Sequence, residues 1–259
     1  MENKVVLISI DGMRPDGVKN CGNPYVEELM KKGSYTFDAR TVFPSVTLPC
    51  HMSMFHSVTP VRHGITTNIY TPPVRPVEGL FEVIKGAGGV SAMYYGWEPL
   101  RDISRPASLK AAEYINAYSF EHTDAMLTDS ALSYIKKAKP DFVFLYMVET
   151  DEKGGHDQGW MSEGYLEVIN DAINNVKRVI EEAGDEYTVI VTADHGGHDR
   201  AHGTDMPEDM TIPMFFCGKE FAPGQELHGV SILDLAPTIA NIMSLSVPRE
   251  WEGKSILGE

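Results

Sequence analysis

The sequence predicts a three-layer α/β/α sandwich with a mostly parallel central sheet, and three observations predict it. Short, nearly continuous apolar runs recur along the chain, as strands covered on both faces require. Stretches with apolar residues at helical spacing lie between them, and strand–helix alternation builds parallel strands joined by crossover helices. Carboxylate and imidazole side chains follow several of the runs directly, where an open α/β sheet binds its ligands.

The strand candidates are KVVLISI (4–10), SAMYYG (91–96), DFVFLYMV (141–148), YTVIVTA (187–193) and IPMFFCG (212–218). Among the helices, NPYVEELMKKG begins with Asn-Pro and ends with Gly, a start and stop pair. TDAMLTDSALSYIKKAK places Met126, Leu127, Ala131, Leu132 and Ile135 at helical spacing. The longest helix lies in SEGYLEVINDAINNVKRVIEEAGDE, with Leu166, Ile169, Ile173, Val176 and Ile180 along one side and Gly184 near its end. SILDLAPTIANIMSLS reads as a further helix, with Pro237 in its first turn or at a kink. Residues 45–75 and 97–125 read as irregular. No repeat, low-complexity tract or long linker interrupts the pattern, so residues 1–259 read as one domain without a large cap insertion.

Composition removes several function classes. The chain has 259 residues, 42% of them hydrophobic, enough for a full core. No run of 18 or more apolar residues is present, so no membrane partner is expected. The opening MENKVVLISIDGMRPD reads as a first strand, not a secretory leader, and the expectation is a cytoplasmic protein. Cys21, Cys50 and Cys217 are too few and too scattered for a disulfide framework or a thiolate zinc site. A formal charge of −15, with KKAK (136–139) as the densest basic stretch, argues against binding nucleic-acid polymers.

The chemistry sits at the strand ends. Asp11 follows VVLISI, Asp151 follows FVFLYMVET with His156 five residues on, and Asp194-His195 follows TVIVTA. An Asp-Gly after a strand is ordinarily a turn, and a Gly-rich loop such as DEKGGH is ordinarily only a loop. Three such sites in one sheet read jointly as metal ligands. Asp and His without thiolates suit Zn²⁺, with Mn²⁺ as the alternative. Five groups exceed one tetrahedral site, so two divalent ions are expected. Two-metal sites ordinarily serve transfer at phosphorus. A protein nucleophile is then sought in TVFPSVTLPCHMSMFHSVTPVRHGITTN, where Thr47 precedes a helix whose N-terminal amides suit an anion. The Met-rich HMSMFHS reads as helix core.

The order Asp11, Thr47, Asp151/His156, Asp194/His195 resembles the alkaline phosphatase superfamily, and most closely its nucleotide pyrophosphatase/phosphodiesterase (type I phosphodiesterase) branch. TLPCH (47–51) resembles that branch's Thr-Phe-Pro-Asn-His motif, and PVRHGI (60–65) its Pro-x-x-His-Gly-Ile element. DEKGGH resembles Asp-x-x-Gly-His with one extra residue, and SILDLAPTIANIM followed by WEGKSIL resembles the shared C-terminal segment. The resemblance implies that Asp11, Thr47, Asp194 and His195 hold one metal, and that Asp151, His156 and a further histidine hold the other. His198 and His202 compete for that place; His202 is preferred because a Gly and then the next strand follow it. Thr47 is implied as the nucleophile, forming a phospho-threonine intermediate.

Cys50 stands where the branch has Asn, and it, Asn68 and Trp97 are the implied substrate-binding positions. A thiol is a poor donor, which shifts oxyanion stabilisation toward backbone N–H groups and metals. Arg14, Arg40 and Arg62 are candidates for phosphate contact, with solvated surface arginines as the default. The expected substrate is a small phosphorylated molecule, a nucleotide or phosphodiester. A phosphomonoesterase or phosphoryl-transfer enzyme of the same superfamily is the alternative. A non-catalytic metal-binding protein is a weaker one. A sulfatase is disfavoured because Cys50 follows its proline and no sulfatase-type arginine comes after it.

Overall fold

Apolar runs flanked by turn residues fold into β1 (Lys4–Ile10), β2 (Ser34–Arg40), β3 (Ser91–Tyr95), β4 (Ala111–Tyr114), β5 (Phe142–Met147), β6 (Tyr187–Thr192) and β7 (Thr211–Cys217). In the computed structural model, which describes residues 1–258, these strands form one sheet in the order β2-β7-β6-β1-β5-β3-β4. β1 pairs in parallel with β5 and β6, and β3 in parallel with β4 and β5. β7 runs antiparallel to β6 and β2. The expected mostly parallel α/β sheet is what the chain forms.

The helices are α1 (Pro15–Asn20), α2 (Tyr25–Lys32), α3 (Thr47–His56), α4 (Pro60–His63), α5 (Leu80–Gly86), α6 (Thr123–Ala138), α7 (Glu163–Ala183), α8 (Pro207–Met210) and α9 (Leu235–Ile242). α1, α2 and α6 pack with α7 on one side of the sheet, and α3, α5 and α9 pack together on the other. α7 shows what holds such a layer. It buries Tyr165, Ile169, Ile173, Val176 and Val179, and each fully buried side chain of this size contributes about 1.5–3 kcal/mol. Its exposed Lys177–Glu181 pair, at 3.9 Å, contributes about 0–1 kcal/mol. Burial decides.

Two strands depart from the expectation. β2 alternates between buried and solvent-facing residues along SYTFDAR, and β4 is a four-residue, half-exposed edge strand. Neither carries the continuous apolar run of a strand covered on both faces. Residues 45–75 are not wholly irregular either. α3 begins at Thr47 itself, not after it, and all ten of its residues are buried. Its core ring, Phe55, stacks on Phe81 with centroids 4.8 Å apart and meets Phe144 edge-on. Pro237 lies in the first turn of α9.

Candidate metal centre

The order β6-β1-β5 places three carboxylates side by side. Asp194, Asp11 and Asp151 each follow the carboxyl end of one of these neighbouring parallel strands. They are 0%, 2% and 3% exposed. Asp194 Oδ1 accepts the N–H groups of Gly12 (3.3 Å) and His195 (3.0 Å), and Asp11 Oδ2 accepts the hydroxyl of buried Tyr146. Their other oxygens, Asp194 Oδ2 and Asp11 Oδ1, and also Asp151 Oδ1, have no hydrogen-bond partner among the described residues. Gly12 turns the chain directly after β1 at φ +64°, and a Cβ there would lie 2.9 Å from Asp151 Oδ1. Only glycine lets the chain pass so close to that carboxylate.

The imidazoles are aimed by backbone carbonyls. Nδ1–H of His195 donates to Gly196 O (2.7 Å), that of His202 to Ser45 O (2.9 Å) and that of His156 to Arg200 O (2.9 Å). This fixes each ring and turns its Nε2 inward, the arrangement that metal-binding histidines use. His195 Nε2 lies 3.2 Å from Asp11 Oδ1 and 3.4 Å from Asp194 Oδ2. His156 Nε2 lies 3.3 Å from Asp151 Oδ2, and His202 Nε2 3.9 Å from Asp151 Oδ1. The rings of His195 and His202 stack with centroids 3.9 Å apart. Candidate ligand atoms of Asp11, Asp194 and His195 lie within 4.8 Å of one another, as do those of Asp151, His195 and His202.

The extra residue of DEKGGH is absorbed locally. Residues Thr150–His156 form a π-helical turn, whose wide i to i+5 spacing brings His156 beside Asp151.

Thr47 Oγ1 is 3.2 Å from His195 Nε2, which places a hydroxyl against the first cluster. One turn along α3, fully buried His51 donates Nδ1–H to Thr47 O (2.8 Å) and contacts Ser9 Oγ through Nε2 (3.1 Å). The nucleophile candidate thus stands on a rigid, fully packed helix start.

Electrostatics show what the cluster lacks. Burial, then the charges of Asp194 and Asp151, push Asp11 well above the ordinary carboxylate range; burial also pushes Asp194 up. Burial acts the same way on Asp151, but His156, His195 and His202 outweigh it and hold that carboxyl down. The hydrogen bond to Asp151 pushes His156 up to about 9, while burial pulls His202 down to about 4. With its Nδ1–H given to Gly196 O, His195 turns the Nε2 lone pair toward two carboxylate oxygens at 3.2 and 3.4 Å. Buried anions persist only when paired or bound to metal. The donor set, carboxylate oxygens and imidazole nitrogens without thiolate, fits divalent cations of the zinc type.

Other predicted positions fall elsewhere. His198, the competitor of His202, donates Nδ1–H to Asp209 Oδ1 at 2.7 Å; like His156 it falls outside both groups, but His156 has its Nε2 beside Asp151. Cys50 is fully buried, with Sγ 3.2 Å from Thr41 Oγ1, and it cannot offer its thiol to a substrate. The helix explains this, because three residues past Thr47 the side chain points into the core. Asn68 instead reaches the helix start, where its Oδ1 accepts the N–H of Leu48 at 3.0 Å. Trp97 packs half-buried against the core after β3. Arg14 bonds Asp16 and Gly197 O, Arg40 bonds Thr211, and Arg62 bonds Arg75 O and Glu250. Tyr146, His51, Ser45 and Asp209 were not singled out as partners of the site. Two signals are in the sequence: His51 closes the TLPCH motif, and Tyr146 is a lone hydroxyl inside the apolar run DFVFLYMV.

The fold is alkaline-phosphatase-like. The structure of murine ectonucleotide pyrophosphatase/phosphodiesterase 5, an inactive threonine-to-alanine variant in complex with AMP, superposes with a TM-score of 0.81 at 16% identity, covering 95% of this chain and 96% of that one. Residues 5–207 match the model of the type I phosphodiesterase / nucleotide pyrophosphatase family, and the chain belongs to that family. Mouse bis(5'-adenosyl)-triphosphatase enpp4 is 23% identical over 276 residues, 96% of this chain and 56% of that protein. A phosphopentomutase of Alkaliphilus metalliredigens (strain QYMF) is 28% identical over 118 residues, 45% of this chain and 30% of that protein. The chain therefore spans only about a third to a half of the length of these curated relatives.

Proposed function

We propose that the chain is a metal-dependent hydrolase of phosphoric ester bonds, acting on a phosphodiester or nucleotide pyrophosphate linkage through a phospho-threonine intermediate on Thr47. The observation that carries this reading is the Thr47 hydroxyl 3.2 Å from His195, inside a set of buried, unpaired carboxylates. Asp11, Thr47, Asp194 and His195 would hold one cation, and Asp151, His156 and His202 the other, with Zn²⁺ the ion that the donors suit best. When bound, such cations ease loss of the Thr47 proton and offset charge on the phosphoryl oxygens.

The residues of the chain do the remainder. Thr47 Oγ forms a bond to phosphorus as the bond to the leaving oxygen breaks, and water then displaces Thr47 and releases the phosphoryl group. At the α3 N-terminus Leu48 N–H is taken by Asn68, Pro49 has none and Cys50 N–H bonds Val46 O, so among the described residues Thr47 N–H is the backbone donor left to meet the anion. Asn68 uses its Oδ1 on Leu48 N–H, which leaves its amide N–H₂ free to donate to a phosphoryl oxygen beside Thr47. That amide takes the donor role for which Cys50 is unsuited. Asn68→Asp, which keeps the acceptor and removes the donor, is expected to lower kcat by about 10²–10³-fold. A steady-state assay checks this, and an unchanged kcat would return the role to the backbone alone.

A nucleotide substrate is supported by the AMP complex of the structural neighbour and by the triphosphatase relative. The phosphomonoester or phosphoryl-transfer alternative draws its support from the phosphopentomutase likeness. Rates on bis(p-nitrophenyl) phosphate and p-nitrophenyl phosphate, measured side by side with Zn²⁺ present, separate the two. The proposal expects the diester to be the faster; a clear monoester preference would favour the alternative.

A further inference from the structure

We propose that Asp209 is a positioning residue that sets cation affinity at the Asp151–His156–His202 cluster, acting through the loop between β6 and β7. The inference rests on the metal-dependent reading above and extends it to a residue that touches no ligand. Asp209 is the last-but-one residue of α8 and is 0% exposed. Its carboxylate grips both sides of the loop that carries His202. His198 Nδ1–H donates to Oδ1 at 2.7 Å, and the N–H and hydroxyl of Thr204 donate to Oδ2 at 2.8 Å each. Its carbonyl accepts Gly196 N–H at 2.8 Å.

The second cluster's imidazoles are tied to this loop, one by position and one by its acceptor. His202 sits in it, held by Nδ1–H to Ser45 O, and Ser45 Oγ donates back to Thr204 O at 2.7 Å. His156 belongs to the π-helical turn on the far side, yet its Nδ1–H is taken by Arg200 O of the same loop. Between them, His198 and Ala201 exchange backbone hydrogen bonds of 2.9 Å, and Asp199 O accepts Trp160 N–H at 2.8 Å. The first cluster is held differently. Asp11 and Asp194 are fixed by strand ends, Tyr146 and backbone N–H groups, and His195 by Gly196 O, whose own N–H bonds the main chain of Asp209 and not its carboxylate. Loosening Asp209 should therefore cost one cation and spare the other.

Stepwise Zn²⁺ titration of the metal-free protein against a chromophoric chelator tests this. The wild type is expected to take up two Zn²⁺. In Asp209→Ala one site keeps its affinity and the other weakens by about 10–100-fold, the range seen when groups orienting a metal ligand are lost. Asp209→Asn can still bond Thr204 and the other tautomer of His198, so it is expected to recover most of the affinity. His198→Ala and Thr204→Val each release one side of the loop and should give intermediate losses at the same site; they carry the test if Asp209→Ala fails to fold. Equal weakening of both sites, or no change in either, overturns the inference. A wild type that binds fewer than two Zn²⁺ overturns the metal reading itself, and this inference with it.

Discussion

Thr47→Ala is expected to lower kcat by roughly 10⁴- to 10⁶-fold, the scale on which loss of a covalent nucleophile acts, while leaving metal content largely intact. Thr47 starts α3 and is buried, but its hydroxyl makes one close contact, to His195. The carboxylates and imidazoles that would hold the cations keep their own supports, from Gly12, Tyr146, Gly196, Ser45 and Arg200. Chemistry and binding should therefore separate. Metal analysis and a phosphodiester assay on the same preparation check both halves, and near-normal turnover in the variant would refute the nucleophile.

Removal of the cations should abolish turnover and lower thermal stability on the order of 10 °C. A ligand present at about 1,000 times its Kd stabilises by about 4 kcal/mol, and a chain of this size shifts by about 2–4 °C per kcal/mol. The metal-free protein should also show a definite pH dependence. Hydrogen bonding to Asp151 raises His156 to about 9 in the folded state, above the ordinary value of about 6.5. The folded protein then binds more protons than the unfolded chain between these values, so stability falls as pH rises from about 6.5 through 9. Asp11, pushed up by burial and by Asp194, acts with the same sign. Buried His51, His195 and His202 are lowered and so act with the opposite sign, but chiefly near and below about pH 6.5, where the unfolded imidazoles take up protons. A bound cation takes the place of the His156 proton and should flatten the slope. Urea unfolding at pH 7 and 9, with and without Zn²⁺, measures this; a slope unchanged by Zn²⁺ would remove His156 from the centre.

Much of this was legible in the linear order. Five strands show as apolar runs because a strand covered on both faces leaves no polar position. Asp11, Asp151 and Asp194 show because a carboxylate directly after such a run stands at the binding edge of a parallel sheet. The edge strands β2 and β4 did not show, since each has a solvent-facing side and breaks the apolar run. Cys50, within the TLPCH motif, and Asn68, by its resemblance to a position near the substrate pocket, stand as equals in the linear order. A helix starting at Thr47 turns one into the core and leaves the other at its tip.

The sequence alone determined the layer architecture and the inventory of ligand-type side chains, because periodicity and residue chemistry are local properties. The tertiary structure alone decided which histidine lies beside Asp151 and what holds it. His198 and His202 are four residues apart and chemically identical; a buried carboxylate at Asp209 takes the first, and a carbonyl at Ser45, from a distant part of the chain, aims the second. The first contact closes within the β6–β7 connection, but the second joins residues 157 apart and exists only once the start of α3 meets that connection, which packing across the whole chain brings about.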